Sequence, residues 1–184
     1  MELLNGLLAA FGLSASAGLN AYIPLLVVAL VARTTPWLEL NPPWDVLTNG
    51  WVIAVLLILA GVEFFADKIP AVNHINDALQ TFIRPAAGAI VFAASSGAVG
   101  HVHPVLALIA GLIVAGGVHT VKSAVVRPAV TATTGGIANP VVSTLEDVGA
   151  FIVSLISVLL PILLLGAAGL LLYMAWRWYP RHSH

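Results

Sequence analysis

The chain is 184 residues long, 60% hydrophobic and only 8% charged, with a formal net charge of -1. Soluble domains carry about 25% charged residues, and a soluble fold of this size cannot hide so much apolar surface, so the composition defines an integral membrane protein. The near-zero net charge without a basic run argues against a nucleic-acid partner, and the lack of cysteine excludes disulfides, thiolate metal sites and cysteine nucleophiles.

The N-terminal MELLNGLLAAFG has no basic start of a cleaved signal and reads as part of the first helix. An apolar helix needs about 20 residues to cross a bilayer, and six membrane segments are predicted. The first runs from about Leu3 to Arg33, interrupted by SAGLNAYIP, and the second covers residues 51–66. Between them, TTPWLELNPPWDVLTN has the prolines and tryptophans of a rigid loop at the headgroups. After Lys68, the apolar residues Val72, Ile75, Leu79, Phe82 and Ile83 recur at helical spacing opposite Asn73, His74, Asn76, Asp77 and Gln80. That pattern predicts an amphipathic helix over about 71–83 lying on the membrane surface. Residues 85–99 and 104–119 form the third and fourth segments. A polar fifth, 128–145, reads as a crossing or as a re-entrant hairpin, and 148–176 is the last.

Six crossings with both termini cytoplasmic put Lys68, Arg84, Lys122, Arg127, Arg177 and Arg181 inside and only Arg33 outside, which favours the polar fifth segment as a span. The expected fold is therefore all-α: a single-domain, polytopic membrane bundle over 1–184, with proline- and glycine-broken helices. A parallel two-helix repeat is expected over about 51–99 and 104–145. Its units share AGVEFFADK with GGVHTVKS and IRPAAGA with VRPAVTA. Small-residue faces such as Ala89/Ala93/Gly97 and Ala107/Gly111/Ala115 suit close helix packing, within the chain or against a second copy in a homo-oligomer.

Three groups of residues carry candidate chemistry. Arg-Pro at 84–85 and 127–128 predicts two helix starts, where Arg84 and Arg127, joined by Lys68 and Lys122, would collect an anion at a cytoplasmic mouth. The same four cations could equally set topology and snorkel to lipid phosphates. Asn20 and Asn139, each near a proline within an apolar run, predict breaks whose freed backbone lines a site, with Thr133 and Thr134 adding hydroxyls. A packing kink is the simpler reading of the glycines. Glu63 and Asp67, four apart on one helix face, form the third group with His119, the repeat counterpart of Glu63; Glu63 and His119 are candidates for proton coupling, or Glu63 pairs with Lys68, Lys122 or Arg84. Glu146 and Asp147 read as helix-start carboxylates at the outer end. His101 and His103 in HVHP have no carboxylate near them in sequence, so no metal is implied, and no cofactor either.

SAGLNAYIPLL, VEFFADKIP, TFIRPAAGA and TATTGGIANPVVSTLED, in this order over essentially the whole chain, resemble the bacterial integral-membrane family catalogued as domain of unknown function forty-one twenty-six. The resemblance implies a bacterial inner-membrane location and marks these stretches as the family's signature, without implying an activity. The expected function is a small transporter or channel for a polar or anionic solute, with lipid headgroups among the candidates and membrane lipids as partners. Two alternatives stand beside it. One is a non-catalytic scaffold. The other is a membrane-embedded phosphoester or lipid-modifying enzyme. Its motif evidence is a partial likeness of KSAVVRP and SSGAVGH to elements of the membrane phosphatidic-acid phosphatases, in the wrong order and spacing.

Overall fold

The computed structural model describes residues 2–97 and 102–178. Its helices are α1 (Glu2–Leu19), α2 (Tyr22–Thr34), α3 (Gly50–Ala66), α4 (Pro70–Gly97), α5 (Pro104–Val121), α6 (Arg127–Thr134) and α7 (Asn139–Trp178). A 3-10 turn at Trp44–Thr48 precedes α3, and a π turn at Lys122–Val126 joins α5 to α6. No strand occurs among the described residues. Asn76–Ser96, Pro104–Thr134 and Asn139–Leu160 are long and apolar enough to cross a membrane, and Gly6–Leu19, Tyr22–Thr34 and Gly50–Ala66 are shorter apolar helices. Local chemistry sets several of the helix starts. The Asn49 side chain accepts the Trp51 N–H to open α3, and His103 accepts from Val105 just ahead of Pro104 in α5.

Close contacts fix the directions. Along α1, Gly12 meets Ser157, Ser16 donates to the Ala150 carbonyl, and Asn20 reaches Asp147, so α1 and α7 are antiparallel. Ser14 donates to the Gly111 carbonyl and Lys122 to that of Leu19, so α1 and α5 are parallel. α4 runs antiparallel to α5, with Thr81 and Arg84 beside His119 and Gly88 beside Ala115 and Gly111. This is the most extensive helix pair. A Cβ at Gly88 or Gly111 would run into the facing helix, so these glycines allow the backbones to approach closely. The core around them holds Leu13, Ala17, Val28, Ala87, Val91 and Ala115.

The first predicted segment is two helices folded back on each other. α1 ends at Leu19 and α2 starts at Tyr22. The chain then returns: Arg33 donates to the Thr48 carbonyl, and Trp44 packs on Ala10, Phe92, Ala93 and Ala107, at the end where α1 began. Pro24 falls in the first turn of α2, where its missing N–H costs nothing.

Three further expectations are corrected. First, Pro85 does not start a helix. α4 runs through it, with the proline ring lying beside Gly116 of α5, and residues 71–83 belong to this one long helix. Its polar face turns into the bundle, where Asn76, Gln80 and Arg84 are buried, while Leu79 and Phe82 point outward. Second, Pro128 also lies within a continuous helical stretch, 104–134. The π turn before it, where the Arg127 N–H bonds the Lys122 carbonyl, absorbs the proline's missing donor and steric demand. The helix–turn–helix form expected of both repeat units therefore holds for α3 and α4 only.

Third, residues 128–145 do not make one span. Gly135 and Gly136, at φ 62° and 86°, reverse the chain between α6 and α7, and Thr131, Thr133, Thr134 and Ile137 at this tip are exposed. Glu146 and Asp147 consequently lie at the same end as Lys68, Arg84, Lys122 and Arg127, not at the opposite one. α7 then continues unbroken, which places Arg177 about 45 Å along the axis from Asp147. The start of α1 and the end of α7 share the end remote from these charges. Among the described residues Lys68, Arg84, Lys122 and Arg127 lie at one end and Arg33 and Arg177 at the other, while Arg181 lies outside the described residues.

Candidate functional site

Most of the chain's charged side chains converge at one end of the bundle. Asp67, just past the end of α3 and 2% exposed, is the hub. It lies 2.9 Å from Arg127, 3.5 Å from Arg84 and 3.8 Å from Lys122, and it accepts hydrogen bonds from Asn76 at 2.6 Å and Ser143 at 3.3 Å. Burial works against its charge, but Lys122, Arg127, Arg84 and the Asn76 hydrogen bond outweigh that and hold its pKa below the ordinary aspartate value.

Around the hub every cation has its own carboxylate. Arg84, fully buried, lies 2.9 Å from Glu63. Lys122 lies 2.8 Å from Glu146, Lys68 3.2 Å from Asp147, and Arg127 3.4 Å from Asp77 as well as beside Asp67. Five carboxylates thus face four cations. His119 adds no charge. Its Nδ1 lies 3.2 Å from Arg84 Nη1, a pure donor, so that nitrogen accepts and Nε2 carries the hydrogen toward Thr81 at 3.1 Å.

The network also builds the α1–α2 turn. Glu63 accepts the Ala21 N–H at 3.2 Å, and Asn20 Oδ1 accepts those of Tyr22 and Ile23, which satisfies the free donors at the start of α2 with an anion where the helix dipole favours one. Lys122 donates to the last carbonyl of α1 at 2.9 Å, the matching cation at a C-terminus. Asn20 Nδ2 ties the turn to Asp147 at 3.0 Å.

Of the residues singled out in the sequence, Asn20, Glu63, Lys68, Arg84, His119, Lys122 and Arg127 meet in this network. Thr133, Thr134 and Asn139 do not. Thr133 and Thr134 donate to carbonyls of their own helix, and Asn139 donates to Thr131, all at the exposed tip. Asn20 and Asn139 therefore share no site. Pro85 starts no helix, and α6, although it begins at Arg127, follows directly on the π turn, whose Lys122 carbonyl takes the Arg127 N–H, so neither Arg-Pro presents the open helix start expected for an anion. Ser96 bonds within its own helix, about 18 Å along α4 from Arg84, and His101 lies outside the described residues. A phosphoester-cleaving constellation is not assembled among the described residues.

Sequence reasoning missed Asp77, Glu146 and Asp147 as members of the network, and it singled out Asp67 without making it the centre. The signal was present: Asn76, Gln80 and Arg84 recur four apart straight through Pro85, as do Glu63 and Asp67 on α3. Next to the network, an apolar groove of about 580 Å³ between α5 and α7 is walled by Leu19, Val118, Val121, Val126, Val142 and Leu145 and ends on the Lys122–Glu146 pair.

Fold and site together define a polytopic α-helical membrane protein with a buried ionic network at one end of its bundle. The chain belongs to the family described as "Domain of unknown function (DUF4126)", whose profile matches residues 7–181. No curated protein and no solved structure matches it.

Proposed function

We propose that the protein is a small membrane transporter or channel for a polar solute, in a bacterial cytoplasmic membrane, with the ionic network as its gate. The observation that carries this reading is the convergence of five carboxylates and four cations, largely buried, in a chain with so few charges. Desolvating that many ions costs several kcal/mol each, roughly, and well-packed apolar side chains often hold a bundle together as well or better. Ionisable groups kept within a membrane bundle are therefore read first as functional. The apolar groove beside Lys122 and Glu146 gives a lateral approach to the network from between α5 and α7. Glu63 and His119, linked through Arg84, remain the proton-coupling pair of this proposal. An anionic solute is disfavoured, since each cation already has a carboxylate within 4 Å.

One observation favours the scaffold reading. The turn at Asn20 is filled by its own side chain and by Glu63. Flux separates the two. Purified protein in liposomes loaded with a pH-sensitive dye is expected to carry protons or a co-transported polar solute faster than empty vesicles, with Glu63→Gln slowing it. Vesicles no leakier than protein-free controls, across gradients of protons, sodium, amino acids and sugars, would support the scaffold instead.

A further inference from the structure

We infer that the network holds one small monovalent cation against Gln80 and Asp77 on α4. This rests on the transport proposal and deepens it by adding to the gate a cation site distinct from the proton-coupling pair. Two independent observations meet at this place. The first is charge: among the described residues five carboxylates face four cations, and His119 is fixed as an acceptor toward Arg84, so this set carries one surplus negative charge. The second is an unfilled acceptor. Gln80 is 2% exposed and its Oε1 has no hydrogen-bond partner, and neither has the buried Asp77 Oδ1.

Their placement brings these acceptors together. Asp77 and Gln80 are three apart on α4 and share a face. Asn76, one turn before Gln80, and Arg84, one turn after it, both reach Asp67, so Gln80 stands in the same inward stripe beside the hub. Buried acceptors without a partner are costly. A donor or a cation relieves both, and the excess negative charge selects the cation. An anion has no unpaired cation to meet among the described residues of the network. Amide and carboxylate oxygens suit a hard cation, and because the surplus is a single charge and no group of three or more His, Cys, Asp or Glu is arranged for a metal ion among the described residues, a monovalent ion matches better than a divalent one.

The test reads binding without flux. Full-length protein in phosphatidylcholine nanodiscs is melted in the chlorides of sodium, potassium, ammonium and choline at equal ionic strength and constant pH. The expected result is a saturable rise in Tm for at least one small cation over choline, lost in Gln80→Leu and kept in Thr133→Val. Because the readout is the difference between salts within one variant, a generally lower Tm for Gln80→Leu does not blur it. Gln80→Glu, which adds a carboxylate at the same place, is expected to enlarge the salt difference. Equal Tm in all four salts for the wild-type protein, or a salt difference unchanged in both Gln80 variants, overturns the inference and leaves the acceptors to water. Cation-specific stabilisation without flux would keep the inference and sink the transport reading, whereas flux without it sinks the inference alone.

Discussion

Replacing Arg84 is the sharpest perturbation of the network. Its side chain is fully buried, lies 2.9 Å from Glu63 and 3.5 Å from Asp67, and donates to His119. Arg84→Met keeps the volume and the helix propensity but removes the cation. Glu63, itself 1% exposed, then retains only the Ala21 N–H, at 3.2 Å. Removing one member of a buried ion pair costs about 3–5 kcal/mol, most of it from the uncompensated partner. Asp67 keeps Arg127 and Lys122, so it adds little. The loss should therefore concentrate on Glu63, and Arg84→Met with Glu63→Gln should recover about half or more of it, a coupling of about 2 kcal/mol. Reversible unfolding in mixed micelles on a double-mutant cycle measures this. A single-variant loss below about 1 kcal/mol, the size of an exposed pair, or losses that simply add, would refute the claim that this pair is buried and mutually dependent.

Other outcomes follow from the same geometry. Gly88→Leu should prevent stable folding, because α5 leaves no room there, while Gly117→Leu, with nothing within 4 Å of its Cβ, should melt within a few degrees of wild type. Gly117 also lines the apolar groove beside Lys122, so if transport is confirmed, Gly117→Leu should slow it by narrowing the groove. Thr133→Val, at the exposed tip, and Asn139→Leu, half-buried beside it, should change stability by less than about 1 kcal/mol; a larger loss in micelles would mean that the tip is sheltered after all. Asp67 has a folded pKa below its unfolded value. Its stabilisation is thus complete above the unfolded value and is lost as pH falls toward the folded one, so the wild-type stability should drop below about pH 4. Asp67→Asn should be less stable at neutral pH and lack that part of the acid limb.

The membrane class and most helix positions were legible because they rest on composition and apolar run length, which tertiary context does not change. α3 begins and ends within a residue of the expected 51–66, and α5 starts at the expected Pro104. The errors share one cause. Proline and polar residues were read by their local preference, as helix starts and watery faces, whereas packing had reassigned them. Pro85 is accommodated beside Gly116, Pro128 behind a π turn, and the polar stripe of α4 faces charges instead of headgroups. The fold-back at Asn20 was hidden for a related reason: what stabilises it, Glu63, Lys122 and Asp147, comes from three distant segments. Once that reversal was missed, Glu146 and Asp147 were assigned to the wrong end, and the network could not be assembled from the sequence.

An experimental density map at side-chain resolution, of the protein in lipid, tests the central claim most directly. The account predicts Asp67 within hydrogen-bond or ion-pair reach of Arg84, Lys122 and Arg127 at once, with Asn20 on Asp147 beside it. A map with Asp67 turned to solvent or headgroups, and Glu146 and Asp147 at the opposite end of the bundle from Lys122, would contradict it.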